Sequence, residues 1–167
     1  MRLSEVRIKN YRLLIDAKLD VDAKTTLIVG RNNTAKTSCS SCINTVLQGS
    51  DFSYNDYPLS KREGLHNLFL QFMEKKLSYE DLCKKIETIS IEFLVDYSLD
   101  DPDAKLGALS PFIIDVDVDT TTALICVEYQ LKTDENKLRE LFKDSCYSEG
   151  QFDPNAEEMH DVLVRNF

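Results

Sequence analysis

From Thr25 to Ser38 the chain reads Thr-Thr-Leu-Ile-Val-Gly-Arg-Asn-Asn-Thr-Ala-Lys-Thr-Ser, and this stretch constrains the fold more than any other. Thr25 to Val29 is short, β-branched and apolar at its end, which predicts a strand buried on both faces. Gly30 opens a polar loop, Lys36 to Leu47 suits a helix, and Gly49 is placed to stop it. Gly30, Lys36 and Thr37 stand at the spacing of the phosphate-binding loop G-x-x-x-x-G-K-[ST], whose setting is strand, loop and helix.

The chemistry explains the spacing. Loop N–H groups at a helix N-terminus point at phosphate oxygens, and the helix dipole favours negative charge there. Lys36 supplies a point charge for the β- and γ-phosphates, and the Thr37 hydroxyl a ligand for Mg²⁺. The motif thus nominates Gly30, Thr34, Ala35, Lys36, Thr37 and Ser38 for ATP, with Mg²⁺ on Thr37. Ala35 departs from the pattern, because a second glycine belongs there. A Cβ at that position must fit between loop and phosphates, so it bears on affinity more than on fold.

Charge agrees with this placement. Residues 1–36 carry eight Lys/Arg and four Asp/Glu, and the rest twelve and twenty-five, for a net charge of -9. A chain this acidic is a poor nucleic-acid binder by itself, and its basic segment surrounds the phosphate loop. No apolar run nears the roughly 18 residues of a membrane span. The charged, alternating N-terminus is not a signal peptide. Cys39, Cys42, Cys83, Cys126 and Cys146 are odd in number and scattered, which fits a reducing compartment. These features predict a cytoplasmic chain.

Alternation predicts strands over residues 2–9 and Ile15–Val21, and again over 88–99, 112–118 and 123–131. Helices are expected at about 61–76, 79–86, 134–143 and 154–165. The order of elements indicates an α/β or α+β class. We divide the chain into a lobe over residues 1–145, with a helical insertion at about 61–87, and a tail over 146–167. Asp153 and Pro154 can open the last helix. Its stripe of Ala156, Met159, Leu163 and Phe167 is expected to be covered by a continuation or a partner chain.

Other patterns carry less chemistry. Asp115, Asp117 and Asp119 mimic the start of a calcium loop, but Thr120 and Cys126 occupy its glycine and glutamate positions. Cys39 and Cys42 share one helical face and have no second pair, so packing explains them better than zinc or redox chemistry. His66 and His160 are isolated from each other and from the cysteines.

The opening Val6-Arg-Ile-Lys-Asn-Tyr-Arg12, a second strand, and Leu27-Ile-Val-Gly-Arg-Asn-Asn33 before the lysine resemble the start of ABC-type ATPase heads of the OLD and RecF/SMC group. Phe52-Ser-Tyr-Asn-Asp56-Tyr57 resembles the segment that OLD-like ATPases place after their first helix. The likeness is specific over residues 1–38, loose to about 60 and architectural beyond. It implies Arg12 and Asn33 near the nucleotide, and Asp56 in a loop that senses metal or γ-phosphate. It also implies association with a second head as a homo-oligomer. A role in nucleic-acid processing or antiphage defence, with a nuclease module elsewhere, would follow from it.

Such heads also need a Leu-Ser-Gly-Gly signature and a Walker B strand ending in Asp-Glu. Here Leu109-Ser110 runs into Pro111-Phe112, and Asp115 is followed by Val116. No residue of this chain is therefore assigned as catalytic. ATPase turnover is expected to need those segments or a partner. The alternatives are a non-catalytic interaction module that kept the fold, and then a stand-alone P-loop kinase or GTPase.

Overall fold

The computed structural model describes residues 1–31, 34–97, 111–112, 121–131, 133–143, 147–148, 151–152 and 161–164. β1 (Arg2–Tyr11) and β2 (Leu14–Asp20) form a hairpin, followed by α1 (Lys36–Leu47) and a 3-10 turn at Tyr54–Asp56. Next come α2 (Leu59–Met73), α3 (Tyr79–Lys85), β3 (Ile89–Asp96), β4 (Thr122–Tyr129) and α4 (Glu135–Lys143). β5 (Tyr147–Ser148) and β6 (Gln151–Phe152) pair with each other. The main sheet has the order β2-β1-β3-β4, with every neighbouring pair antiparallel. The fold is mixed α and β, as the alternation and helical periods predict.

Alternation sets the two faces of the sheet. Val6 and Ile8 of β1 pair with Phe93 and Ile91 of β3, and all four are buried. They join Phe69, Phe72, Leu82, Leu138 and Phe142 from the helices in one core. The Phe69 and Phe142 rings lie 5.6 Å apart, which ties α4 to α2. Each such buried side chain contributes about 1.5–3 kcal/mol relative to exposure.

The opposite face is ionic. Glu5 accepts from Arg7 and, at 2.6 Å, from Lys18, while Lys9 lies 3.5 Å from Glu92. The Lys18 hydrogen bond is the main reason the Glu5 carboxyl sits below its ordinary range. The basic residues of the first strands are thus paired with acidic neighbours along and across the strands, while their side chains stay about half exposed.

Helix ends follow sequence chemistry. Gly49, at φ 65°, terminates α1: its N–H donates to Val46 O and that of Ser50 to Thr45 O, a Schellman closure. α2 closes the same way, with Lys75 in the left-handed position at φ 59°.

One expectation fails, and a second is tested at a single residue. Thr25 to Val29 is not a strand: it pairs with no strand among the described residues, and Leu27 and Val29 are 80% and 76% exposed. An apolar run signals a need for burial, and the described sheet offers no neighbour on this side of the loop. The last helix is seen over 161–164, with Val162 and Leu163 buried in this chain's own core, so covering Leu163 requires no partner. Ala156, Met159, Phe167, Asp153 and Pro154 lie outside the described residues. So do Leu109, Ser110, the three aspartates 115, 117 and 119, Cys146 and His160. Of the strand expected at 112–118 only Phe112 is described; it is in a 3-10 turn with Pro111 and is half-exposed.

Candidate nucleotide-binding site

The loop closes on its own lysine. Lys36 Nζ donates to Gly30 O and Arg31 O, each at 2.5 Å, and lies 3.4 Å from Thr34 Oγ1. Thr34 Oγ1 in turn donates to Arg31 O at 2.7 Å. The ammonium therefore sits within the turn that leads into α1, where its three donors meet oxygen atoms.

Gly30 leaves room for the Thr34 hydroxyl. A Cβ there would lie 2.7 Å from Thr34 Oγ1, closer than packed atoms tolerate, and moving that hydroxyl would break its bond to Arg31. Position 35 is different. Ala35 is the N-cap of α1 at φ 63° and ψ 8°, in the left-handed region. The motif's second glycine thus answers a backbone demand, and an alanine meets it at a cost of about 1 kcal/mol.

The start of α1 suits an anion. The cap supplies no side-chain acceptor, and the first turn has no acidic residue. The first intrahelical bond, Cys39 N to Ala35 O at 2.9 Å, leaves the N–H groups of Lys36, Thr37 and Ser38 ahead of it without an intrahelical carbonyl. Thr37 is exposed and Ser38 is buried, so the threonine hydroxyl is the one reachable from outside. Beside the loop a cleft of about 160 Å³ separates Thr34, Lys36 and Cys39 from Val6, Ile8 and Leu19 of the hairpin.

The hairpin reaches the same helix. Tyr11 is buried, and its hydroxyl is 3.1 Å from Ser41 Oγ, one turn beyond Thr37 on α1. Burial raises the Tyr11 pKa, with the Ser41 bond opposing it. Arg12 follows at φ 50°, its N–H donating to Asp56 O at 2.7 Å and its Nε to Asp56 Oδ1 at 2.9 Å. The other Asp56 oxygen accepts from Ser53 N and Ser53 Oγ. Both oxygens of Asp56 are thus engaged by protein donors. Asn33 lies outside the described residues.

Among the described residues, the remaining candidates form no second site. Cys42 is fully buried, and burial, followed by Cys39 and Asp56, pushes its thiol up to about 12. Burial raises Cys39 as well, so neither supplies a thiolate at neutral pH, in keeping with packing. Among the described residues no group of three or more His, Cys, Asp or Glu could hold a metal ion. No described helix is long and apolar enough to cross a membrane.

Two features escaped the motif reading. The left-handed backbone at Ala35 was signalled only by the glycine the pattern expects there. The link between Arg12 and Asp56 spans 44 positions and left no local signal.

Comparison with curated proteins and with solved structures gave no match. The family model of the AAA ATPase domain matches residues 1–164, nearly the whole chain and all of the loop described above. The chain belongs to the AAA ATPase domain family.

Proposed function

We propose that the chain is the Mg-ATP-binding part of an ABC-type head. The observation that carries this reading is the Lys36 ammonium seated among Gly30 O, Arg31 O and Thr34 Oγ1 at the uncapped start of α1. The donor set fits a triphosphate: one fixed cation, a row of helix N–H groups and a reachable hydroxyl. On binding, Lys36 would exchange its bonds to Gly30 O and Arg31 O for the β- and γ-phosphates, and the N–H groups from Ala35 to Ser38 would bind phosphate oxygens. Thr37 Oγ1 takes the Mg²⁺, which would neutralise phosphate charge. Gly30 and Thr34 keep the turn open, and Arg12 and Asn33 border the nucleotide. Asp56 is bound to Arg12 and Ser53, and we leave the metal to Thr37 alone.

Residues 1–145 form the lobe and 146–167 its extension. Turnover needs an acid to position water and a second head, supplied by a homo-oligomer. The resemblance to OLD-like proteins supports coupling to a nuclease module, nucleic acid and antiphage defence in the cytoplasm. Calorimetric titration with ATP and Mg²⁺ tests the binding step.

One observation favours a second reading. Ala35 holds a conformation better suited to glycine, as expected of a loop that keeps its shape after losing its ligand. A chain that folds but binds no nucleotide would establish that non-catalytic interaction module instead.

A further inference from the structure

Arg12 stands at the tip of the β1–β2 turn with its side chain 44% exposed, yet it is not free to wander. Its backbone is left-handed, and its N–H and Nε grip the carbonyl and carboxylate of Asp56. Only the Nε edge of the guanidinium is hydrogen-bonded among the described residues, and its carbon lies 5.1 Å from the centroid of the Tyr11 ring. Its two terminal nitrogens donate to no group among the described residues. A guanidinium held by one edge presents the other, a planar fork suited to two oxygens of one phosphate.

Asp56 is itself fixed. Its second oxygen is bonded by Ser53 N and Oγ, and Arg62 holds the same turn from α2, donating to Asn55 O at 2.6 Å and Tyr57 O at 3.0 Å. The side chain is only 14% exposed. The anchor for Arg12 therefore comes from a braced turn. Tyr11, the preceding residue, reaches Ser41, which lies on α1 one turn from Thr37, so the turn that carries Arg12 is tied to the helix that starts at the phosphate loop.

We propose that Asp56 is a positioning residue for nucleotide binding: it holds Arg12 by the Nε edge so that the opposite edge meets a phosphate of ATP. This rests on the ATP-binding reading above. Asp56 touches no phosphate itself. Its role is to remove the rotamer freedom that a long, exposed arginine would otherwise lose on binding.

The test is calorimetric titration of the full chain with ATP and Mg²⁺, with thermal stability followed in parallel. Binding by the wild type and its loss in Lys36→Ala establish the site first; absence of wild-type binding overturns both readings. Given binding, Arg12→Ala and Asp56→Ala should each weaken affinity about tenfold, and the double variant scarcely more than either. Arg12→Lys should behave like Arg12→Ala, because lysine keeps the charge but has no fork and no Nε. Ser53→Ala is the control. It removes one donor to the other Asp56 oxygen, so it should lower stability while leaving affinity within about twofold. Should Asp56→Ala fail to fold, Asp56→Asn keeps an acceptor for Nε without the charge and should weaken affinity by about threefold. Asp56 variants that bind like wild type overturn the proposal. So does a Ser53→Ala affinity loss equal to that of Asp56→Ala, or a double variant that loses the full product of the two single effects.

Discussion

Lys36 Nζ and Gly30 O lie 2.5 Å apart, so the first and seventh positions of the loop are joined directly by the side chain that defines it. Lys36 Nζ also donates to Arg31 O, so the lysine ties the entry of the loop to the start of α1.

Ala35→Gly should stabilise the protein. Relief of left-handed strain, about 1 kcal/mol, outweighs the extra unfolded-state freedom of glycine by roughly 0.5 kcal/mol. The thermal midpoint should rise by about 1–2 °C. Ala35→Val, β-branched at the same φ of 63°, should lower it by more. Thermal denaturation of the three proteins checks the order. A lower midpoint for the glycine variant would show that the strain assignment is wrong.

Gly64 offers the opposite kind of glycine. It lies within α2, an added Cβ meets nothing within 4 Å, and its backbone is helical. Gly64→Ala should therefore stabilise by about 0.5–1 kcal/mol. Gly30→Ala, with its Cβ forced to 2.7 Å from Thr34 Oγ1, should loosen the loop. Urea unfolding of the two variants separates a glycine that the fold requires from one that it does not.

How much of this was legible in the sequence depends on the range of the cause. The alternation that buries Val6 and Ile8, the helix from Lys36 and its stop at Gly49 are local, and each was readable from residue order. Thr25 to Val29 was misread because its apolar content reports what the segment needs, whereas pairing depends on a neighbour that the described sheet lacks. The Arg12–Asp56 link and the burial of Leu163 are tertiary, joining residues far apart in the chain, and no spacing rule encodes them.

Leu163 gives a direct test of the C-terminal packing. It is completely buried in the core that also holds Leu138 and Phe142. Leu163→Ala should cost about 2–5 kcal/mol through lost transfer energy and a residual cavity. A change under 0.5 kcal/mol by urea denaturation would place this residue outside the core.

Alkaline pH should unfold the protein through groups that resist ionisation. Burial pushes Cys42 up to about 12 from 9.0, and Tyr57 up to about 12 from 10.0. Each folded value exceeds the unfolded one. The stability these groups contribute is thus complete below about pH 9 and is lost as pH rises towards 12. The unfolding free energy from urea titration should hold steady near neutrality and fall across that window, by up to about 1.4 kcal/mol per pH unit per group. Thiol labelling read by mass spectrometry should modify exposed Cys83 and Cys126 near pH 8 and spare Cys42. Equal labelling of Cys42 would contradict its burial.

The central claim is that Lys36 and the start of α1 hold the phosphates of ATP. The most direct measurement is calorimetric titration of the wild type and Lys36→Ala with ATP in the presence of Mg²⁺. Wild-type binding is expected, with affinity lowered in the variant by one to two decades, the worth of a charge-assisted contact of about 1.5–3 kcal/mol. The variant should keep the wild-type circular dichroism spectrum, since Lys36 is not part of the core. No heat of binding in a folded wild type, or equal affinity in both proteins, would contradict the account.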